Sequence, residues 1–265
     1  MAPLLLLLAI QTNPVILRAV YAEALATDRK LLGAEHQQTL ADAASLASVL
    51  PSAEALTLWK QASLSPDPAL AARSLAALAE HSEEVGDRNI AAEFYRQALA
   101  KEELATGQSS ARVAVLLNAL ALVTDPPAAI TLLERALQID RLIWGERHAE
   151  TAATEVNLSG VLLAAGRTPE AVRMGARALA AFESALGPDH PGTATAASGL
   201  ADALRAMRDF AAAEKLYRRA LAIDERAFGA SHAETLADVR NLVDTLRAQK
   251  RTEEADELEK RLSLP

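Results

Sequence analysis

Residues 213–235 read AEKLYRRALAIDERAFGASHAET, and this stretch is the unit that the rest of the chain copies. Its landmarks are Ala213, Tyr217 four residues on, the Ala220-Leu221 pair, and a Gly-x-x-His-x-x-Thr run made by Gly229, His232 and Thr235. The same run appears at Gly187/His190/Thr193, at Gly145/His148/Thr151 and at Gly33/His36/Thr39, the copies from Gly145 onward standing 42 residues apart. Gly107 keeps the glycine while Ser110 and Val113 replace the His and Thr. Self-similarity at a fixed period is the signature of a stacked-repeat architecture and is read before anything else.

Two further landmarks divide each repeat into a first helix, A, and a second, B. Helix A carries Leu followed by a mostly small residue at Leu46-Ala47, Leu78-Ala79, Leu120-Ala121, Leu158-Ser159, Leu200-Ala201 and Leu242-Val243. Helix B carries Ala at Ala55, Ala91, Ala129, Ala171, Ala213 and Ala255, and again seven residues later at Ala98, Ala136, Ala178 and Ala220. Small residues at fixed places let two backbones approach closely, so these are read as packing positions. From Leu78, Leu158, Leu200 and Leu242 to the next B-helix Ala is thirteen residues, but from Leu46 and Leu120 it is nine. The shortening falls at LPSAE and TDPPA, where proline ends one helix and starts the next. Between Ala55 and Leu78, LSPDP replaces the long Gly-x-x-His connection. The B helices that run into the Gly-x-x-His connection close on a Gly suited to the left-handed C′ position, and the final helix, TEEADELEKRL, has the polar character of a terminal cap facing water.

Composition agrees. Apolar residues make up 51%, aromatics only 3%, and the dominance of Ala and Leu over strand-forming types predicts an all-α chain. The expected fold is a right-handed superhelical α-solenoid of stacked antiparallel helix pairs, over 14–265, with about six pairs plus a leading helix. Residues 1–13 are read apart, as an apolar leader or partial helix: Leu4–Ile10 is a seven-residue apolar run with no Lys or Arg before it. That run is far shorter than the about 20 residues a membrane-spanning helix needs. Asn13-Pro14 reads as a helix start, and Tyr21 with Ala24-Leu25 is already in repeat register. A cytoplasmic location is expected, with export through a short N-terminal leader as the alternative.

The formal charge of −8, with 27 Lys+Arg spread thinly, argues against nucleic acid, which calls for a concentrated basic face. The absence of cysteine excludes disulfides, thiolate catalysis and Cys-type zinc sites. No Gly-rich phosphate loop, HExxH or GxSxG is present, so no catalytic residue and no cofactor is assigned. Four equivalent histidines invite a metal reading, but equivalent positions on stacked helices lie on the order of 10 Å apart whereas zinc ligands converge at about 2 Å. Each His, with its Thr, is therefore read as ordering the B-to-A turn and capping helix A. His81 reads as a surface residue of an A helix, and the paired acids Glu83-Glu84 and Glu253-Glu254 as solvated.

The stretches 212–255 and 132–171 carry a pattern that resembles the tetratricopeptide repeat in its 42-residue, kinesin-light-chain-like variety. The resemblance covers about 14–265. It implies a non-enzymatic scaffold or adaptor that binds a protein or extended peptide in the groove lined by A helices. It also implies that the residue before the A-helix Leu holds peptide backbone when it is Asn. That position reads Ser45, Ala77, Ala119, Asn157, Gly199 and Asn241, so binding is expected to centre on the last three units. Helical spacing places Arg240, Asp244 and Arg247 beside Asn241, and Asp202 and Arg205 beside Gly199. These residues read either as a charged groove that selects side chains or as Asp/Arg pairs that neutralise one another within the solenoid. A structural or self-assembly module, including a homo-oligomer, and a regulatory sensor acting with a separately encoded effector are the alternative functions.

Overall fold

Alanine stands wherever the helices of this protein touch. In the computed structural model, which describes residues 14–263, the B-helix alanines Ala55, Ala91, Ala129, Ala171, Ala213 and Ala255 are all at most 1% exposed, and Ala98, Ala136, Ala178 and Ala220 are wholly buried. Added bulk in such a core costs about 1–3 kcal/mol. Among the described residues every element is helical.

The helices fall into two compact units that divide between Thr124 and Asp125. Unit one holds α1 (Pro14–Leu31), α2 (Gln37–Ala47), α3 (Ser52–Ala62), α4 (Pro68–Glu84), α5 (Arg88–Thr106) and α6 (Ala111–Leu122). Unit two holds α7 (Pro126–Trp144), α8 (Ala149–Ala164), α9 (Thr168–Leu186), α10 (Pro191–Ala206), α11 (Phe210–Phe228), α12 (Ala233–Ala248) and α13 (Thr252–Glu259), closed by a 3-10 turn (Lys260–Ser263). Within each unit consecutive helices pack as antiparallel A/B neighbours: α2/α3 and α4/α5 in the first, α8/α9, α10/α11 and α12/α13 in the second. The leading B helix is α1, described from Pro14 onward; the expected leader over 1–13 and the Asn13 cap lie outside the described residues. The shortened A-to-B turns fall between Ala47 and Ser52 and between Leu122 and Pro126.

The B-to-A turn is one hydrogen-bonded device used four times. His36, His148, His190 and His232 are the N-caps of α2, α8, α10 and α12. Each accepts at Nδ1 from the backbone N–H two residues on, at 3.2, 3.2, 3.0 and 3.3 Å. Thr39, Thr151, Thr193 and Thr235 each donate their hydroxyl to the carbonyl of the turn glycine, at 2.7–2.9 Å. In the copy at Gly107, Ser110 takes over the cap, accepting from Val113 N–H at 3.2 Å.

The turn glycines are not in the left-handed helical conformation expected of them. Gly145, Gly187 and Gly229 have φ of 87, 95 and 91° with ψ of 169, 164 and 165°, an extended mirror-image region open almost only to glycine. The left-handed conformation instead closes the A helices. There Gly86, Gly166, Arg208 and Lys250 have φ of 86, 75, 65 and 66°, and the N–H after each reaches back five residues, as from Arg167 to Leu162 and from Asp209 to Leu204, completing a Schellman closure.

Two stability predictions follow from these turns. Nothing lies within 4 Å of a Cβ built on Gly187, so Gly187→Ala and Gly187→Asn test backbone strain alone. Each is expected to cost about 1–3 kcal/mol in urea unfolding, and an unchanged midpoint would refute the conformational requirement. Arg208→Gly and Lys250→Gly relieve a left-handed non-glycine residue and are expected to raise stability by up to about 1 kcal/mol; a loss in both would show that the side chains outweigh the backbone.

Candidate functional site

The A helices of unit two, α8, α10 and α12, form one layer. Helix α8 touches α10 directly, and Ser198 of α10 donates its hydroxyl to Asp238 of α12 at 2.5 Å. Gly199 of α10 faces Val156 of α8, which a Cβ there would meet at an ordinary contact distance of 3.9 Å. Successive B helices are spanned by long side chains instead, as where Arg219 of α11 reaches Glu183 of α9 at 2.5 Å and the Pro188 carbonyl at 3.1 Å. The closer spacing on the A side makes it the inner face of this unit. Residues at 42-residue intervals line up across it: Val156/Ser198/Arg240, Asn157/Gly199/Asn241 and Gly160/Asp202/Asp244.

The seven residues singled out from the sequence fall into two kinds of environment. Asn157 and Asn241 are half-buried in the same register, and Arg240 and Asp244 are exposed on α12. Neither Arg240 nor Asp244 makes an ion pair with a described residue. Asp202 and Arg205, by contrast, are half-exposed but already paired. Arg205 lies 3.3 Å from Asp202, and both meet the hydroxyl of the fully buried Tyr217, which donates to Asp202 at 2.5 Å. Burial, followed by the Asp202 carboxylate, pushes the Tyr217 phenol far above its usual range. Burial opposes the charge on Arg205, but its bonds to Tyr217 and Asp202 outweigh this and raise its pKa. Arg247 turns away from Asp244 to meet Asp256 at 3.3 Å and Glu259 at 2.6 Å on α13. The Asp/Arg pair therefore closes on itself at Asp202/Arg205, while at Asp244/Arg247 the arginine is taken by the terminal helix.

A buried polar layer beneath this face escaped the sequence reading. Asp140 accepts from Thr154 at 2.7 Å across the α7/α8 contact. The same two positions read Phe182/Ala196 one repeat on and Asp224/Asp238 in the next. Two carboxylates thus stand where the earlier pair has an acid and a hydroxyl. Both are more than nine-tenths buried, and Asp224 Oδ1 and Asp238 Oδ2 have no hydrogen-bond partner. Burial first, then repulsion from Asp224, Glu234 and Asp202, pushes the Asp238 carboxyl up to about 7 against the pull of the Ser198 hydroxyl. Aligning the 42-residue copies would have exposed this pair, because Asp238 stands where the two preceding repeats have Thr154 and Ala196. Glu155 is also buried, held by Arg141 at 3.1 Å and Arg177 at 3.0 Å. In unit one Glu83 is no mere solvated acid, since it accepts from Tyr95 at 2.6 Å. His81 is no surface residue, with a side chain only 17% exposed and 3.5 Å from Glu84.

Among the described residues no group of three or more His, Cys, Asp or Glu is arranged to hold a metal ion, and no described helix is long and apolar enough to cross a membrane. The model of the family described as Tetratricopeptide repeat matches residues 112–184, 150–226 and 193–262, together more than half of the chain. The chain belongs to the tetratricopeptide repeat family. No curated protein matches the sequence. Among solved structures, BtubC (BKLC) from P. vanneervenii is similar at a TM-score of 0.67 and 23% identity, over 82% of this chain and 93% of that one. A kinesin-light-chain-like protein of Podosopora anserina with nearly identical TPR-like repeats is similar at 0.62 and 23%, over 75% and 95%. A Rap protein complexed with Competence and Sporulation Factor is similar at 0.63 and 15%, over 94% of this chain and 63% of that one. At these identities the likeness is one of fold.

The Asp224/Asp238 pair makes a signed prediction. The folded-state pKa of Asp238 lies above its ordinary value of 3.8, so its contribution is fully present below that value and is lost as pH rises to about 7. The slope is at most about 1.4 kcal/mol per pH unit for one proton. Asp238→Asn is expected to match the natural protein near pH 4 and to be the more stable form at pH 8 in chemical denaturation. A difference that does not vary with pH would show that the carboxyl is not the titrating group.

Proposed function

We propose that this protein is a non-enzymatic scaffold that binds a protein or extended peptide along the A-helix face of unit two. The observation that carries this reading is the row Arg240, Asn241 and Asp244 on α12. Its charges are left without ion-pair partners among the described residues, while Asp202, the counterpart of Asp244 one repeat earlier, is taken up by Tyr217 and Arg205. Asn241 offers both a donor and an acceptor, which matches the two groups of a peptide bond, and Asn157 stands in the same register two A helices away. Arg240 and Asp244 present opposite charges four residues apart, suited to ligand side chains of either sign. Asp202, Arg205 and Arg247 serve this face by shaping and bracing it, since their own charges are matched within the chain. Membership of the tetratricopeptide repeat family supports a protein-binding role, as does the fold shared with a Rap protein solved in complex with Competence and Sporulation Factor.

The reading is tested on an immobilised array of random decapeptides. The natural chain is expected to bind a subset, and Arg240→Ala combined with Asn241→Ala is expected to weaken those spots at least about ten-fold, the loss of two hydrogen-bonding groups at about 1 kcal/mol or more each. Circular dichroism checks the fold, which truncation of the exposed Arg240 and the half-buried Asn241 should preserve. Equal binding by the folded double variant would refute the α12 face as the binding surface.

A further inference from the structure

A second binding site follows from a gap in the repeat pattern of unit one. Trp59 of α3 stands four residues after the alanine landmark Ala55, where α5 has Tyr95 and α11 has Tyr217. Both tyrosines give their hydroxyl proton to an acid near the end of the preceding A helix, Tyr95 to Glu83 and Tyr217 to Asp202. Those acids lie five and two residues beyond the A-helix leucines Leu78 and Leu200; the corresponding places after Leu46 hold Pro51 and Ser48. The first helix pair therefore has an aromatic donor at the tyrosine position and no acid at either place to receive it. The Trp59 indole N–H has no acceptor among the described residues.

In place of that acid there is space. Trp59 lines an open cavity of about 290 Å³ with Ala41, Ser45, Ser48, Leu70 and Arg73, close to the lower end of ordinary ligand pockets at about 300 Å³. Its walls are mainly apolar, and Leu70 is almost fully buried. The two serine hydroxyls are already committed, donating to the carbonyls of Ala41 at 2.9 Å and Ser45 at 2.8 Å. Arg73 is exposed and makes no ion pair with a described residue. No carboxylate lines the cavity. The hollow thus offers an apolar body, one guanidinium and one indole donor, and lacks an anionic acceptor.

We propose that this cavity binds a small apolar monocarboxylate, of the size of 4-methylpentanoate or phenylacetate. Its carboxylate takes the place of the acid that the α4/α5 and α10/α11 pairs carry in their own chain, accepting from Arg73 and Trp59, and its hydrocarbon part lies against Leu70, Ala41 and the indole face. The site lies wholly in unit one and does not depend on the α12 surface.

The chain has two tryptophans, so Trp144→Phe leaves Trp59 as the only indole reporter. Titration of that protein with 4-methylpentanoate and with phenylacetate is expected to change Trp59 emission saturably, and the matching carboxamides to bind at least about ten-fold more weakly. Arg73→Gln, a change on an exposed position, is expected to weaken the acids to the level of the amides, and Arg240→Ala with Asn241→Ala to leave the titration unchanged. Equal binding of acid and amide, an undiminished response in Arg73→Gln, or no saturable change with either acid would each overturn the assignment.

Discussion

The distance between two helix backbones at alanine is the constraint on which this structure depends. Where Ala91, Ala171 and Ala213 pack in the core their methyl groups are wholly buried, and added bulk in such a core forces strain. Gly175 shows the limit. It occupies the tyrosine position of its repeat, and a Cβ there would lie 3.2 Å from Ser159 Oγ and 3.3 Å from Leu200 Cα. In that pair the neighbouring helices have filled the space that Tyr95 and Tyr217 occupy elsewhere. The repeat tolerates either solution because the volume across the contact is conserved, not the residue.

Close approach also decides what becomes of polar groups. A hydroxyl or carboxyl trapped between tightly packed helices must find a partner there or carry the cost of desolvation. Tyr95 and Tyr217 meet this demand with acids from the preceding helix, Asp140 with Thr154, and Glu155 with two arginines. The Asp224/Asp238 pair does not meet it fully, and a raised pKa is the consequence. The arginines of the inner face follow the same logic, being drawn to acids of the chain wherever these lie in reach. What remains open on that face is a short row on α12, next to the polar helix that ends the array.

The fold was largely legible in the sequence. The 42-residue period, the alanine columns and the proline-shortened turns located every helix from Pro14 onward, because helix pairing of this kind depends on local residue size and local turn chemistry. The four turn histidines were legible too, since a cap acts within two or three residues of itself, whereas His81 was misplaced on the surface. The turn glycines were located correctly but their conformation was not, because the sequence reports that a glycine is needed without reporting which positive-φ region it occupies. The candidate site was only half legible. Asn157, Arg240, Asn241 and Asp244 could be placed by register, but the fate of Arg205 and Arg247 depended on Tyr217, Asp256 and Glu259, nine to twelve residues away on the next helix.

By itself the sequence determined the repeat, its helices, its family and the absence of any motif for covalent or metal chemistry, all of which follow from residue type at fixed spacing. Only the tertiary structure decided which charges are already matched, that two aspartates are buried between the same helices, and that the α2/α3 pair leaves a hollow where α4/α5 and α10/α11 hold an acid. The physical reason is that ion pairing, desolvation and cavity volume belong to contacts between helices, and those contacts come into being only when the alanine columns bring the helices together.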